Sequence, residues 1–376
     1  MLTWIEISKK NLLYNSGVLR KAIGNKTQLM TVVKSFAYGH GMLAVANVLK
    51  EKTDWFGVAS LDEALVLRKS KINNPILVLS YFDLDWQKIE QGIKQKITFP
   101  AYSRTQIEFL NSIAKKLHRQ ASVHIKIDTG TSRIGQRIET IRTFLRELSK
   151  FKNVEVSGLF SHFADSEENP AYTAKQIEIF EKAIEITSRE FPNLICHMSC
   201  SAAAILLPKS HYGMVRAGLM TYGIHPSKKT RQAPITRDYV GRHIELKPVL
   251  TWKTKIIQVK SLPKGVYVGY GLSYRTFRET KMAVLPVGYA DGYDRKLSNT
   301  GVVLVSGKRA NVIGRVCMNL TMIDVTGIPV KKNQEVILLG GHGKNRITAE
   351  ELAVKIGTIN YEVVTRINWA LPRIIA

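Results

Sequence analysis

The chain has 376 residues, 45% of them hydrophobic and 23% charged. That length can bury a large core, expected as two domains, and the balance is that of a soluble globular protein with no apolar run long enough to span a membrane. Lys and Arg number 55 against 30 Asp and Glu, a formal charge of +25. The cations are spread along the chain without a basic arm, zinc finger or aromatic-basic motif, so no specific nucleic-acid partner is expected.

Strand and helix patterns alternate through the first two-thirds. Apolar runs at 28–34, 55–60, 76–80, 97–102, 123–128, 156–163, 194–200 and 214–223 predict eight strands. Helical periodicity between them is clearest at 61–69, 104–117, 138–150 and 174–189. Asn73-Asn74-Pro75 and Asp128-Thr129-Gly130 mark turns. This alternation predicts a (β/α)₈, TIM-like barrel over residues 1–233. A polar, basic stretch at 227–242 reads as a linker. Beyond it, 234–376 reads as a smaller, mainly β domain with strands at 249–259, 266–270, 282–286, 301–305, 310–313, 322–325 and 335–339. Residues 1–9 are candidates to pair with that domain. Thr348-Ala-Glu-Glu351 is a capping box opening a helix that Gly357 ends.

Met1–Lys10 lacks the apolar core of a signal peptide, and Cys196, Cys200 and Cys317 fit no common zinc spacing, so a reducing, cytoplasmic setting and no metal are expected. Cys196 and Cys200 read as the interior of one strand.

The most informative stretch is Thr31-Val-Val-Lys-Ser-Phe-Ala-Tyr-Gly-His-Gly41. Lys34 ends a buried strand, where desolvation lowers an amine's pKa and prepares it for covalent chemistry; alone, it reads more readily as a surface lysine at a strand end. With Tyr38, Gly39 and Gly41 it resembles the motif V-V-K-A-N-A-Y-G-H-G of the alanine racemases, fold-type III pyridoxal-phosphate enzymes. Further blocks carry the same resemblance: Lys126-Ile-Asp-Thr-Gly-Thr-Ser-Arg133, His197-Met-Ser-Cys-Ser-Ala-Ala203, Val215-Arg-Ala-Gly-Leu219, Val268-Gly-Tyr-Gly-Leu-Ser-Tyr274, Leu285-Pro-Val-Gly-Tyr-Ala-Asp-Gly292 and Gly314-Arg-Val-Cys-Met318.

The resemblance implies pyridoxal 5'-phosphate as cofactor, alanine as substrate and a homodimer with shared active sites. It places Lys34 on the cofactor and makes Lys34 and Tyr270 the two bases, with Tyr270 serving the other subunit and Tyr274 a weaker candidate. Tyr38, Ser201, Gly218, Leu219 and Tyr361 would hold the phosphate end. Arg216 would face the pyridine nitrogen, His162 the ring face, and His197 would bond Arg216. Arg133 and Met318 would hold the substrate carboxylate, Lys126 would be carbamylated, and Tyr289 would narrow the entrance. Read alone, Ser201 is a helix cap, Arg216 a buried ion-pair member, and the histidines core residues. Cys200, Asn319 and Leu320 depart from the family's usual Asn, Asp and Gln. A serine or broad-specificity racemase, a non-catalytic cofactor carrier and a basic nucleic-acid binder are the competing readings.

Overall fold

The computed structural model describes residues 1–233, 245–342 and 345–376. The chain forms two compact units: Leu12–Ala37 with Val45–Leu246, and Met1–Asn11 with Tyr38–Ala44 and Lys247–Ala376. The expected division after residue 233 abuts residues outside the described set, as does most of the expected linker. Its described start is a short helix, Lys228–Gln232, closed by a Ser227–Thr230 capping box.

In the first unit, β1 (Thr3–Ile7) having gone to the second, eight parallel strands follow one another: β2 (Gln28–Val32), β3 (Trp55–Val58), β4 (Ile76–Val78), β5 (Ile97–Ala101), β6 (Ala121–Lys126), β7 (Val154–Phe160), β8 (Ile195–His197) and β9 (Met214–Ala217). Their order is β8-β7-β6-β5-β4-β3-β2-β9. Backbone bonds from Gly213 N–H to the Cys196 carbonyl (2.9 Å) and from Arg216 N–H to the Ser199 carbonyl (3.0 Å) bridge β8 and β9. The TIM-like barrel expected from the alternation is therefore present, with Met30, Leu77 and Met214 clustered across its strands and Leu29 packed outward on Val18 and Leu19.

Except for β6, the strands are shorter than their apolar runs. The run at 214–223 holds β9 and then a 3₁₀ turn, Leu219–Tyr222. Cys196 lies in β8, but Cys200 is outside it, at the N-cap of Ser201–Leu206.

The second unit is mainly β. The expected strand at 249–259 is two strands, β10 (Leu250–Lys255) and β11 (Gln258–Leu262), because the chain changes sheet between them. Ile256 N–H bonds the Gln334 carbonyl and Ile257 N–H the Val284 carbonyl, both at 2.9 Å. The strands that follow are β12 (Thr280–Leu285), β13 (Val302–Val305), β14 (Lys308–Asn311), β15 (Thr321–Asp324), β16 (Glu335–His342), β17 (Asn345–Ile347) and β18 (Arg373–Ile375). One sheet runs β14-β13-β16-β10-β1-β18 with β17 on β16; the other is β11-β12-β15. β1 pairs antiparallel with β10, Thr3 opposite Thr254, and β18 lies parallel to β1. The late helix is Ala349–Ile356, with Thr348 accepting from Glu351 N–H and Gly357 in the left-handed conformation, as the capping residues predict.

Candidate active site

Lys34 follows β2 and begins a turn of unusual hand. Ser35, Phe36, Ala37 and Tyr38 all have positive φ, at 52, 56, 54 and 53°, a conformation that costs each L-residue roughly 1–2 kcal/mol. The turn is pinned by Glu63, whose Oε1 accepts from Ser35 N–H and Oε2 from Ala59 N–H, both at 2.7 Å. Glu63 itself sits in the first turn of Leu61–Lys69, capped by Ser60. Burial lowers the pKa of Lys34, and the charges of Arg133 and Arg216 lower it further, against an opposing pull from Glu63.

Arg216 projects from β9 and is buried. Its Nη1 donates to His197 Nδ1 (2.6 Å), and Nη2 donates to the carbonyls of Ser161 (2.7 Å) and Met198 (2.9 Å) and lies 3.1 Å from His162 Nδ1. A guanidinium only donates, so His197 Nδ1 accepts and its Nε2–H faces His124 Nδ1 at 2.9 Å. His124 Nε2 is then the buried N–H, with no partner among the described residues. Burial, then the Arg216 charge, holds His162 and His197 well below the usual imidazole range and His124 at about 3. All three are neutral rings, and burial alone brings Arg216 down to about 10. Gly158 of β7 makes room for this arrangement: a Cβ there would lie 2.6 Å from the His124 ring.

Lys126 ends β6 with its Nζ 4.4 Å from the Phe160 ring centre. Burial first, then Arg216 and Arg133, lower its pKa to about 7. Arg133 lies exposed on the loop after β6. In that loop the Asp128 carboxylate accepts from Gly130 and Ser132 N–H, both at 3.0 Å. Ser132 is left-handed, φ 53°, where a glycine would cost less. Ser201 is the first residue of its helix rather than the cap, and its buried Oγ accepts from Gly218 N–H at 2.8 Å. Its hydroxyl is thus spent across β8 and β9 instead of on its own helix.

Lys34, Lys126, Arg133 and Arg216 thus reinforce one another's positive field in one unit. The Ser201 hydroxyl, held by Gly218 N–H, the Leu219 backbone, a desolvated amine and a buried guanidinium make a donor set that suits an anionic, carbonyl-bearing group.

The second unit holds the remaining expected residues. The rings of Tyr38 and Tyr361 are 6.2 Å apart, tilted by 50°. Tyr270 opens a 3₁₀ turn, Tyr270–Leu272, instead of ending the strand expected at 266–270, because Gly269 and Gly271 take positive φ. It is 73% exposed, Met318 is 55% exposed, and Tyr289 is also exposed. Tyr270 and Cys317 line one cavity of about 470 Å³. Tyr274 packs on Val268 and Met282, and burial raises its pKa, which leaves it a poorer base.

Two family descriptions cover almost all of this architecture: "Alanine racemase, N-terminal domain" over residues 7–226 and "Alanine racemase, C-terminal domain" over 249–375. The chain belongs to the alanine racemase family. It is 40% identical to an alanine racemase of Halothermothrix orenii over 99% of this chain and 96% of the relative. It is 37% identical to one of Leptospira interrogans, over 99% and 95%. Among solved structures, the alanine racemase of Clostridium difficile 630 superposes with a TM-score of 0.91 at 36% identity, covering 100% of this chain and 96% of that one. That of Bacillus anthracis with bound L-Ala-P also gives 0.91, at 31% identity and 100% and 95% coverage.

Two residues of this alanine racemase family site were not singled out in the sequence, Glu63 and His124. Glu63 carried a signal, since it stands three residues after Ser60 as a capping-box acid. His124 carried only its place in an apolar, alternating strand.

Proposed function

We propose that the chain is a pyridoxal 5'-phosphate-dependent, cytoplasmic alanine racemase, an isomerase that interconverts L- and D-alanine and provides D-alanine for peptidoglycan. The observation that carries this reading is the desolvated Lys34 amine on its Glu63-pinned turn, within a chain that matches the alanine racemase family along its length. The cofactor, when bound, makes an amino acid's α-proton acidic by spreading the resulting negative charge into its ring.

The chain's own residues do the rest. Lys34 binds the cofactor through Nζ and then holds or returns the α-proton on one face. Tyr270 of the partner subunit does the same on the other face through its hydroxyl. Tyr38, Ser201, Gly218, Leu219 and Tyr361 hold the phosphate end, and His162 packs on the ring. Arg216 meets the ring nitrogen as a donor, which disfavours a proton there and limits how far charge is drawn into the ring. Its guanidinium is held in place by His197 and two carbonyls. Arg133 and Met318 orient the substrate carboxylate.

Lys126 is carbamylated in this reading. A pKa near 7 leaves much of the amine free at neutral pH, and a free amine adds CO₂ to give a carbamate and a proton. The resulting anion offsets the Arg133, Arg216 and Lys34 cations.

The test is incubation of the cofactor-loaded protein with L-alanine in heavy water. Deuterium at Cα together with D-alanine is the expected result. Deuterium in L-alanine alone means that one base works without the other. No exchange removes alanine as the substrate, and the same assay with serine then follows. Tyr270→Phe should keep cofactor binding and lose racemisation by roughly 100-fold or more; near-normal turnover would remove Tyr270 as a base.

A further inference from the structure

The charge of +25 is not absorbed by the active site. Every loop that leads into a barrel strand from β2 to β9 carries at least one Lys or Arg: Lys26 before β2, Lys50 and Lys52 before β3, Arg189 before β8, Lys209 before β9. The loops before β4, β5, β6 and β7 are the extreme case. These four strands are neighbours in the sheet. Residues 69–75, 94–96, 115–120 and 149–153 contain nine Lys or Arg and no Asp or Glu. All nine are exposed. Only Lys94 forms an ion pair among the described residues, with Glu90.

Part of this charge has a local explanation. Lys69, Lys94, Lys115 and Lys116 lie in last helical turns, where cations complement the helix dipole. Lys71, Lys96, Arg119, Lys150 and Lys152 lie beyond the helix ends and are not needed for that. Lys71 and Lys96 stand at equivalent points of successive loops with φ of 61 and 55°, where glycine would be less strained. The loops are also held firm. Arg68 donates to the carbonyls of Ile72 (2.6 Å), Asn74 (2.8 Å) and Gln95 (2.9 Å), and Arg119 to that of Lys94 (2.8 Å). A cavity of about 840 Å³ runs up from these loops, with Lys69, Lys94 and Lys96 on its wall.

We propose that the ring of cations at the N-terminal ends of the barrel strands is a docking face for an anionic phospholipid bilayer. Net positive charge on six of the eight loops, those before β3 and β8 being balanced by Glu51, Asp54 and Glu190, makes an end face that meets a plane rather than a rod. Of the nine cations in the four richest loops, eight are lysines, which act as point charges, whereas arginine's fork suits nucleic-acid recognition. The eight loops expose no Phe, Tyr or Trp on which bases could stack. Their large apolar residues are buried, as Ile72 is, or half-buried, as Leu117, Phe151 and Phe191 are, so attachment is electrostatic and peripheral. This departs from the expectation of no membrane partner, which rested on the lack of a spanning segment. The reaction site lies at the opposite, C-terminal ends of the same strands, so the attached barrel keeps its site away from the lipid.

The test is co-sedimentation of the full chain with vesicles of phosphatidylcholine containing about one-third phosphatidylglycerol, at ~0.1 M salt and again at ~0.5 M. Binding to these vesicles, none to pure phosphatidylcholine, and loss at the higher salt are expected. The variant K71Q/K96Q/K150Q/K152Q should lower partitioning by about 100-fold or more, at roughly 1 kcal/mol per basic side chain. K264Q/K308Q/K331Q/K332Q removes the same charge from the other unit and should lower it far less. Circular dichroism and melting temperature check that both variants fold. Equal loss in the two variants, or no partitioning of the parent, overturns the proposal. So does displacement from the vesicles by a short duplex DNA at equal phosphate, which would make the face a nucleic-acid surface.

Discussion

Among the described residues Arg216 has no carboxylate partner, yet it is buried, because two carbonyls and a histidine nitrogen take its protons. The apolar run around it marked it as a residue needing a partner; the family resemblance supplied His197, while the two carbonyls were not legible, because they come from the ends of β7 and β8. Glu63 was hidden for the same reason, its two acceptor bonds reaching Ser35 and Ala59 from another element. Glu63→Ala removes both bonds and leaves the left-handed turn unpinned. It should cost about 1–3 kcal/mol, read from urea midpoints, and lower cofactor affinity through Lys34. Glu63→Gln keeps one acceptor and should recover part of both. Lys126 gives a pH signature. Its pKa falls from 10.5 to about 7 on folding. Between those values the unfolded chain holds the proton and the folded chain does not, so stability rises with pH across that window, by at most about 1.4 kcal/mol per pH unit. In CO₂-free buffer, urea midpoints at pH 7 and pH 9 should show this rise in the parent and a smaller one in Lys126→Met, where the buried Lys34 amine still contributes. Added bicarbonate should raise the parent's midpoint and carry the rise below pH 7, because the carbamate does not take up the proton that the unfolded lysine holds. An unchanged midpoint with bicarbonate would count against carbamylation.

Elements were legible where pattern and backbone agree. The eight apolar runs and the helix at Leu61–Lys69 emerge at their expected places. They fail where backbone hand or long-range pairing decides. No local pattern marks β18, which exists because Ile5, Glu6 and Ile7 of β1 offer it an edge. The run at 266–270 alternates well enough for a strand, but two left-handed glycines turn it into the tip that exposes Tyr270. The turn after β2 is the strongest instance of backbone hand. Four left-handed residues lead into Gly39, φ 80°, where a Cβ would lie 2.0 Å from the Val364 carbonyl oxygen. Arg373 donates to the Gly39 carbonyl at 3.0 and 3.2 Å. Gly39→Ala therefore meets both backbone strain and a collision, and should cost about 3 kcal/mol or more, a fall of several degrees in melting temperature. Gly24 has a similar φ of 75° with nothing within 4 Å of an added Cβ. Gly24→Ala should cost only about 1–2 kcal/mol. Equal losses would mean that the approach to Val364 is relaxed by backbone movement.

At the scale of the whole molecule, the proposed chemistry predicts a site shared between two chains. Lys34 and Arg216 belong to the barrel unit, while Tyr270 stands 73% exposed on the β unit beside an open cavity. A base that must move one proton on one face of a substrate works best where a surface holds that substrate and excludes solvent. If that surface is the barrel of a second copy, each site takes Lys34 from one chain and Tyr270 from the other. Two inactive variants then test the assembly without any structure of the dimer. Lys34→Ala and Tyr270→Phe are each prepared alone, shown to be dimers, then unfolded together in equal amounts and refolded with cofactor. Random pairing makes half the dimers hybrid. Each hybrid holds one site with both defects and one with neither, so the mixture should recover about one quarter of the parent's racemisation. If each site is built within one chain, every site keeps a defect and mixing recovers nothing. The two outcomes differ by far more than the residual activity of either variant, so this mixture decides whether the second base comes from the partner.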